Sequence, residues 1–225
     1  MNDIEVLSNR NILKQSYALN SAKYKLSALS MDLIMSLISE IKNEDIDFKI
    51  YNFSLVGLEK KLKKKIDKKY IIKIARELNR SEIIITKDNG SILISSWVSS
   101  FEFNPSNNKI EISFDPKLKP YLLSIKENFV LCHLNEISRL KSEYSKRIFM
   151  FLKQRENIGK YYVGLSNLMD ILQVPISYLE YKTFKAKVIK PALKDIAMST
   201  TLNVTYEEFK EGRKVSEEPN RTAKL

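Results

Sequence analysis

Two short stretches concentrate the side chains able to act on another molecule, and both are basic. Between Lys60 and Lys73 stand eight lysines and one acid, Asp67. The segment YKTFKAKVIKPALKDI, residues 181 to 196, carries five lysines and one acid, Asp195, near its end. Ammonium groups at this density attract a polyanion, and nucleic acid is the usual one. The competing account is a solvated charge run, which is common on protein surfaces. Lysine outnumbers arginine 30 to 8. Lysine is a flexible point charge suited to phosphates, whereas arginine forks onto guanine edges. Contacts are therefore expected mostly on the phosphodiester backbone, with base readout left to a few side chains.

Catalytic groups are scarce. His133 is the only histidine, so a two-histidine metal site is impossible, and Cys132 with His133 gives too few ligands for zinc. His133 reads as a partly buried polar residue. Cys132, inside the apolar run FVLCHL, reads as a small buried hydrophobe rather than a nucleophile. No GxxxxGK[ST] phosphate cradle occurs. A nicking tyrosine such as Tyr161 or Tyr162 would need a metal-binding histidine pair close by, and there is none. The scattered acids leave a two-metal nuclease site open, but nothing in their spacing argues for one. The expectation is a protein that is not an enzyme and uses no metal or cofactor.

The formal net charge of +11 is shared along the chain, with 21 basic against 15 acidic residues up to position 126 and 17 against 12 beyond it. The excess is a surface property of both halves rather than a basic tail. A hydrophobic fraction of 44 % allows a real core, and five glycines and six prolines argue against a glycine-rich sandwich. A lone cysteine excludes an internal disulfide and fits a reducing cytoplasm. Neither a signal peptide nor an 18-residue apolar run is visible, so no membrane is expected.

The elements that must position the lysines follow from periodicity. Asn11 to Leu19 reads as a short helix, Ser27 to Lys42 as a stronger one, and Asp47 to Phe53 as a strand. Ser54 caps a helix carrying Leu55, Leu58 and Leu62, and the lysine cluster forms a turn. The next helix, Lys68 to Asn79, turns Ile71, Ile74, Ala75 and Leu78 inward and leaves Lys68, Lys69, Lys73, Arg76 and Arg80 for DNA. Glu82 to Trp97 reads as a hairpin around Asp88-Asn89-Gly90, and Val98 to Phe103 with Lys109 to Phe114 extend its sheet. Helix, helix, hairpin is the order of a winged helix-turn-helix, whose second helix enters the major groove. Asp115 to Leu131 reads as a connector.

The order then repeats, the mark of a duplicated domain. Asn135 to Asn157 reads as one long helix, Tyr161 to Val163 as a strand, and Ser166 as the cap of a helix carrying Leu168, Ile171 and Leu172. A turn at Pro175 leads to a long helix from about Tyr178 to Met198, kinked at Pro191. Leu202 to Phe209 reads as a strand leading to a turn at Gly212. Leu55, Leu58 and Leu62 correspond to Leu165, Leu168 and Leu172. DNA contacts are expected from Tyr181, Lys182, Thr183, Lys185, Lys187, Lys190 and Lys194 on the second reading helix. Lys210, Arg213 and Lys214 of its wing and Arg147 of the preceding helix complete the set. The fold class is α+β, two tandem winged-helix domains, residues 1–126 and 127–225.

The segments ISRLKSEYSKRIFMFLKQ (137 to 154), GLSNLMDILQVPISYLEYKTFKAKVIKPALKDI (164 to 196) and EGRKV (211 to 215) resemble plasmid replication initiators of the Rep3 superfamily, the iteron-binding Rep proteins. Weaker likeness extends over ILKQSYALNSAKYKLSALSMDLIMSLISEI and FSLVGLEKKL. The resemblance implies binding of repeated double-stranded DNA at an origin, opening of a nearby AT-rich segment, and recruitment of the host initiator and replicative helicase. It also implies a homodimer, joined through the first domain and in equilibrium with monomer, that represses its own promoter. Lys182, Lys185 and Lys187 would be the main readers, aided by Lys69, Lys73 and Arg76. One departure stands out: the chain continues as SEEPNRTAKL, polar where the family has an apolar wing strand. A transcriptional repressor of the same fold is the alternative reading.

Overall fold

Alternating burial at the head of the chain makes a strand rather than the expected helix. β1 (Ile12–Ser16) buries Leu13 and Gln15 and leaves their neighbours half-buried. It pairs antiparallel with β7 (Phe129–His133), Leu13 opposite Cys132. A period of two wins because β7 offers an edge to pair with, and only the single turn α1 (Tyr17–Asn20) is helical. The computed structural model describes residues 12–211, 214–215 and 223–224.

α2 (Ala28–Ile38) is capped by Ser27, whose hydroxyl accepts from the Ser30 N–H. β2 (Tyr51–Ser54) leads to α3 (Leu55–Leu62), capped by Ser54 as the sequence predicts and burying Leu55, Leu58 and Leu62. Lys63 ends α3 in the left-handed region at φ 53° and opens the turn to α4 (Lys68–Arg80). β3 (Ile83–Thr86) and β4 (Ile92–Ser95) form a separate two-stranded ribbon turning at Gly90, where φ is +79°. β5 (Val98–Asn104) and β6 (Lys109–Phe114) join β2 in a sheet of order β2-β6-β5. Two strand expectations therefore change. The wing that closes on this helix-turn-helix is the β5–β6 hairpin, because β6 rather than β4 pairs with β2. The sheet of β3 and β4 is not extended by β5.

After a short turn, α5 (Lys119–Leu122) and β7 return the chain to β1. The single helix expected over 135–157 is two: α6 (Leu134–Arg139) and α7 (Glu143–Gln154). Leu140 is extended, and Ser142 starts α7 by accepting the Ser145 N–H. β8 (Tyr162–Val163) precedes α8 (Leu165–Ile171), whose N-cap is Gly164 and not Ser166. The long basic helix begins as α9 (Tyr181–Phe184), passes through a π-helical segment at Lys185–Ile189, and continues as α10 (Lys190–Ser199).

The π segment explains how the helix accommodates Pro191. The Lys190 N–H reaches back five residues to the Lys185 carbonyl. The wider turn makes room where a proline ring would clash with the preceding turn, so the helix continues without breaking. The expected strand over Leu202–Phe209 does not form. Glu207 makes one isolated bridge, paired strands start with β9 (Lys210–Glu211) against β10 (Lys214–Val215), and β11 (Ala223–Lys224) pairs with β8. The polar tail thus still supplies a strand to the second domain.

The architecture is two tandem winged-helix units, α2-β2-α3-α4 with the β5–β6 wing and α7-β8-α8-α9-α10 with β9, β10 and β11. One continuous core runs through both, from Leu13 through Trp97 and Phe114 to Phe149, Phe184 and Ile196. Among the described residues, no helix is long and apolar enough to cross a membrane.

Candidate nucleic-acid interface

The two basic helices expected to read DNA share a device that the lysine count alone does not reveal. Each contains one acid, and each turns that acid inward. On α4, Glu77 accepts from the Ser27 N–H, from the Ser27 hydroxyl at 2.8 Å and from the Ser30 hydroxyl at 2.7 Å, all at the head of α2. On α10, Asp195 accepts from the Lys141 N–H at 2.8 Å, just ahead of α7. Ser27 and Ser30 meet at 3.0 Å between their hydroxyls, and Ser142 and Ser145 at 2.7 Å. The same serine spacing, three apart, heads the first helix of each unit; Glu77 bonds the first pair directly, and Asp195 bonds the residue just ahead of the second. An acid at a helix N-terminus also complements the partial positive charge there.

With its acid spent inside, each helix presents cations outward. On α4, Ile71, Ile74 and Leu78 are buried, while Lys68, Lys69, Lys73, Arg76 and Arg80 are exposed. Positions 69, 73, 76 and 80 fall on one stripe by helical spacing. Asp67 caps this helix by accepting the Lys69 N–H and pairs with the Lys69 ammonium at 3.1 Å. On the second helix, Lys182, Lys187, Lys190 and Lys194 are exposed while Phe184, Val188, Ala192, Leu193 and Ile196 are buried. Lys187, Lys190 and Lys194 are spaced to share a face.

Other members of the expected set are partly withdrawn. Lys185 bonds to Glu208 and lies 5.9 Å from the Tyr181 ring and 5.6 Å from the Tyr206 ring. Its pKa is raised, chiefly by the bond to Glu208 and next by one to Tyr206. Tyr181 is half-buried, and burial followed by its bond to Glu208 raises its phenol. Thr183 donates to Glu180 at 3.1 Å. Of the turn lysines, Lys61 bonds to Glu40, Lys64 to Asp32, and Lys65 approaches Glu59 at 3.4 Å. Lys60 and Lys63 are exposed. The side chains of Lys210 and Lys214, and the whole of Arg213, lie outside the described residues.

Arg147 is a correction. It is 4 % exposed, and one guanidinium nitrogen donates to the Ala22 carbonyl at 2.7 Å and approaches the Ile171 carbonyl at 3.4 Å. It is an internal pin and leaves the DNA-contacting set. Its neighbour Lys146 is also internal, fully buried against Asp32 at 2.6 Å and the Ile137 carbonyl at 2.6 Å. Two cations of the SEYSKR run face inward because that side of α7 packs against α1 and α2. Among the described residues, no group of three or more His, Cys, Asp or Glu side chains is placed to hold a metal ion.

Residues 12–153 match the model described as "Initiator Replication protein, WH1", and residues 164–217 match "Initiator Rep protein, WH2". The chain belongs to the Rep3 family of initiator replication proteins. Among similar proteins, a probable replication protein rep of Bifidobacterium longum (strain NCC 2705) is 22 % identical over 193 residues, covering 84 % of this chain and 65 % of that protein. A replication initiation protein of Escherichia coli is 25 % identical over 125 residues, 53 % of this chain and 38 % of that one. The chain thus spans less than two thirds of the length of these relatives. In fold it is similar to the Pi initiator protein solved in complex with iteron DNA, with a TM-score of 0.76, 17 % identity and 96 % of each chain covered.

Proposed function

We propose that this Rep3 protein binds repeated double-stranded DNA at a plasmid origin and initiates replication there. The observation that carries the reading is the pair of basic helices whose exposed charged side chains are all cations, their lone acids being drawn to hydrogen bonds at Glu77 and Asp195. The family and the fold likeness to an initiator solved on iteron DNA support it. Lys187, Lys190, Lys194 and Lys182 hold phosphates and approach base edges in one major groove. Lys69, Lys73, Arg76 and Arg80 do so in a second. Residues 127–225 carry the main contact, and residues 1–126 the auxiliary one.

Bound at the repeats in the bacterial cytoplasm, the protein helps open the adjacent duplex and recruits the host initiator and replicative helicase. It acts without catalytic chemistry of its own. A homodimer forms in equilibrium with monomer through the first half and represses the protein's own promoter. The outer edge of β4, where Ile92 and Ile94 are exposed side by side, supports an interface there.

Footprinting on the replicon that encodes the protein tests the reading. Protection of direct repeats beside an AT-rich stretch is the expected result. Protection confined to a promoter would favour a repressor, and cleavage of supercoiled DNA would favour a nickase.

A further inference from the structure

We propose that Asp32 is a positioning residue for DNA recognition, closing a polar strut that fixes the spacing between the two reading helices. The proposal rests on the DNA-binding reading above. Asp32 lies on α2 and is 1 % exposed. One carboxylate oxygen accepts from Lys146 on α7 at 2.6 Å, and the other accepts from Lys64 in the turn between α3 and α4. One side chain thus joins the first helix-turn-helix, the helix behind it, and the first helix of the second unit.

The links on either side extend this junction to both readers. Glu77 ties α4 to the head of α2, and Asp195 ties α10 to the residue ahead of α7. The path runs from α4 through Glu77 to α2, through Asp32 to α7, and through Asp195 to α10. Each link is a carboxylate receiving donors at hydrogen-bond distance, and Asp32 is where the path crosses between units.

Stability does not account for such a pair. A buried ion pair loses about as much solvation as it gains in attraction, and well-packed apolar side chains commonly serve the fold as well. Charged hydrogen bonds add direction, whereas apolar contacts can slide. Direction matters to a protein that reads two major-groove segments, because these recur about every 34–36 Å along and around the duplex. Inserting one base pair moves the second segment by about a tenth of a helical turn. Readers held by a rigid strut cannot follow that movement, and readers on a loose junction can.

Two measurements test this on the full chain. Spin labels at Asn79→Cys and Ala197→Cys, exposed ends of the reading helices, report their separation without DNA. A single narrow distance is expected in the parent protein and a broadened or shifted one in Asp32→Asn. The second probe is a duplex selected by the parent protein from a randomised pool, then lengthened by one or two base pairs between its protected segments. The insertion is expected to weaken the parent about tenfold or more, the scale of one mismatched base pair, and Asp32→Asn about threefold or less. The double variant Asp32→Leu/Lys146→Met fills the site with apolar atoms and keeps a folded comparison should Asp32→Asn fail to fold. A folded variant with the parent's distance and the parent's spacer penalty would overturn the proposal. A parent protein that selects no duplex would sink the DNA-binding reading instead, while the label distances would still decide whether Asp32 holds the strut.

Discussion

The Arg147 guanidinium stacks 3.8 Å over the ring of Tyr24, a residue 123 positions earlier in the chain. Tyr24 in turn meets Trp97 edge-on at 4.9 Å, and Phe151 flanks the guanidinium at 5.3 Å. With the Ala22 carbonyl as its main acceptor, Arg147 is held by aromatic faces and backbone oxygen rather than by a carboxylate.

Arg147→Ala is therefore expected to destabilise the fold by about 3 kcal/mol, since it empties a buried site and strands the Ala22 carbonyl. Denaturant unfolding measures this. The salt dependence of DNA binding by the folded fraction should stay as in the parent. A reduced salt slope with unchanged stability would return Arg147 to the DNA surface.

Lys187 and Lys190 should behave in the opposite way. Each neutral substitution to Gln is expected to leave the melting temperature within a few degrees. It should reduce the slope of log K against log salt by about 0.9 for each phosphate that the side chain neutralises. Lys185→Gln should change that slope less, because its ammonium is engaged by Glu208. Gel shifts at several salt concentrations separate the three. Equal slopes for all would show that this helix does not face the phosphates.

Lys146 gives a pH signature with an unusual sign. Burial lowers its pKa from the ordinary lysine value to about 8, with the Asp32 carboxylate opposing the shift. Between that value and about 10.5 the unfolded chain holds the proton more tightly than the folded one. This lysine therefore adds stability as pH rises through that window, by at most about 1.4 kcal/mol per pH unit. Comparison of unfolding midpoints for the parent and Lys146→Met at pH 7.5 and pH 10 (both roughly chosen to bracket the window) checks it. The difference should shift toward the parent at the higher pH, and a shift toward the variant would contradict the assigned cause.

Cys132 should be inert in the folded protein. It is 4 % exposed beside Met150, and burial pushes its thiol up to about 12. Thiolate is the reactive form, so alkylation at neutral pH is expected only on unfolding. Iodoacetamide labelling followed by mass spectrometry, with and without denaturant, measures this. Rapid labelling of the native chain would mean that β7 opens away from α7.

The sequence by itself determined the fold class, the two basic helices and their inward stripes. Each rests on local periodicity, and Ser54, Leu55, Leu58 and Leu62 lie where helical spacing predicts. The single histidine and cysteine likewise narrowed the chemistry without any structure. Only the tertiary structure decided partnership. Ile12–Ser16 is a strand because β7, more than a hundred residues away, pairs with it. The wing is β5–β6 because β2 takes β6 as its neighbour. Lys146 and Arg147 sit in a basic run much like those on the reading helices, yet they point into the protein. No local pattern separates a lysine that meets a phosphate from one that meets Asp32. That distinction depends on which surface of α7 the first unit covers, a meeting of residues 114 positions apart.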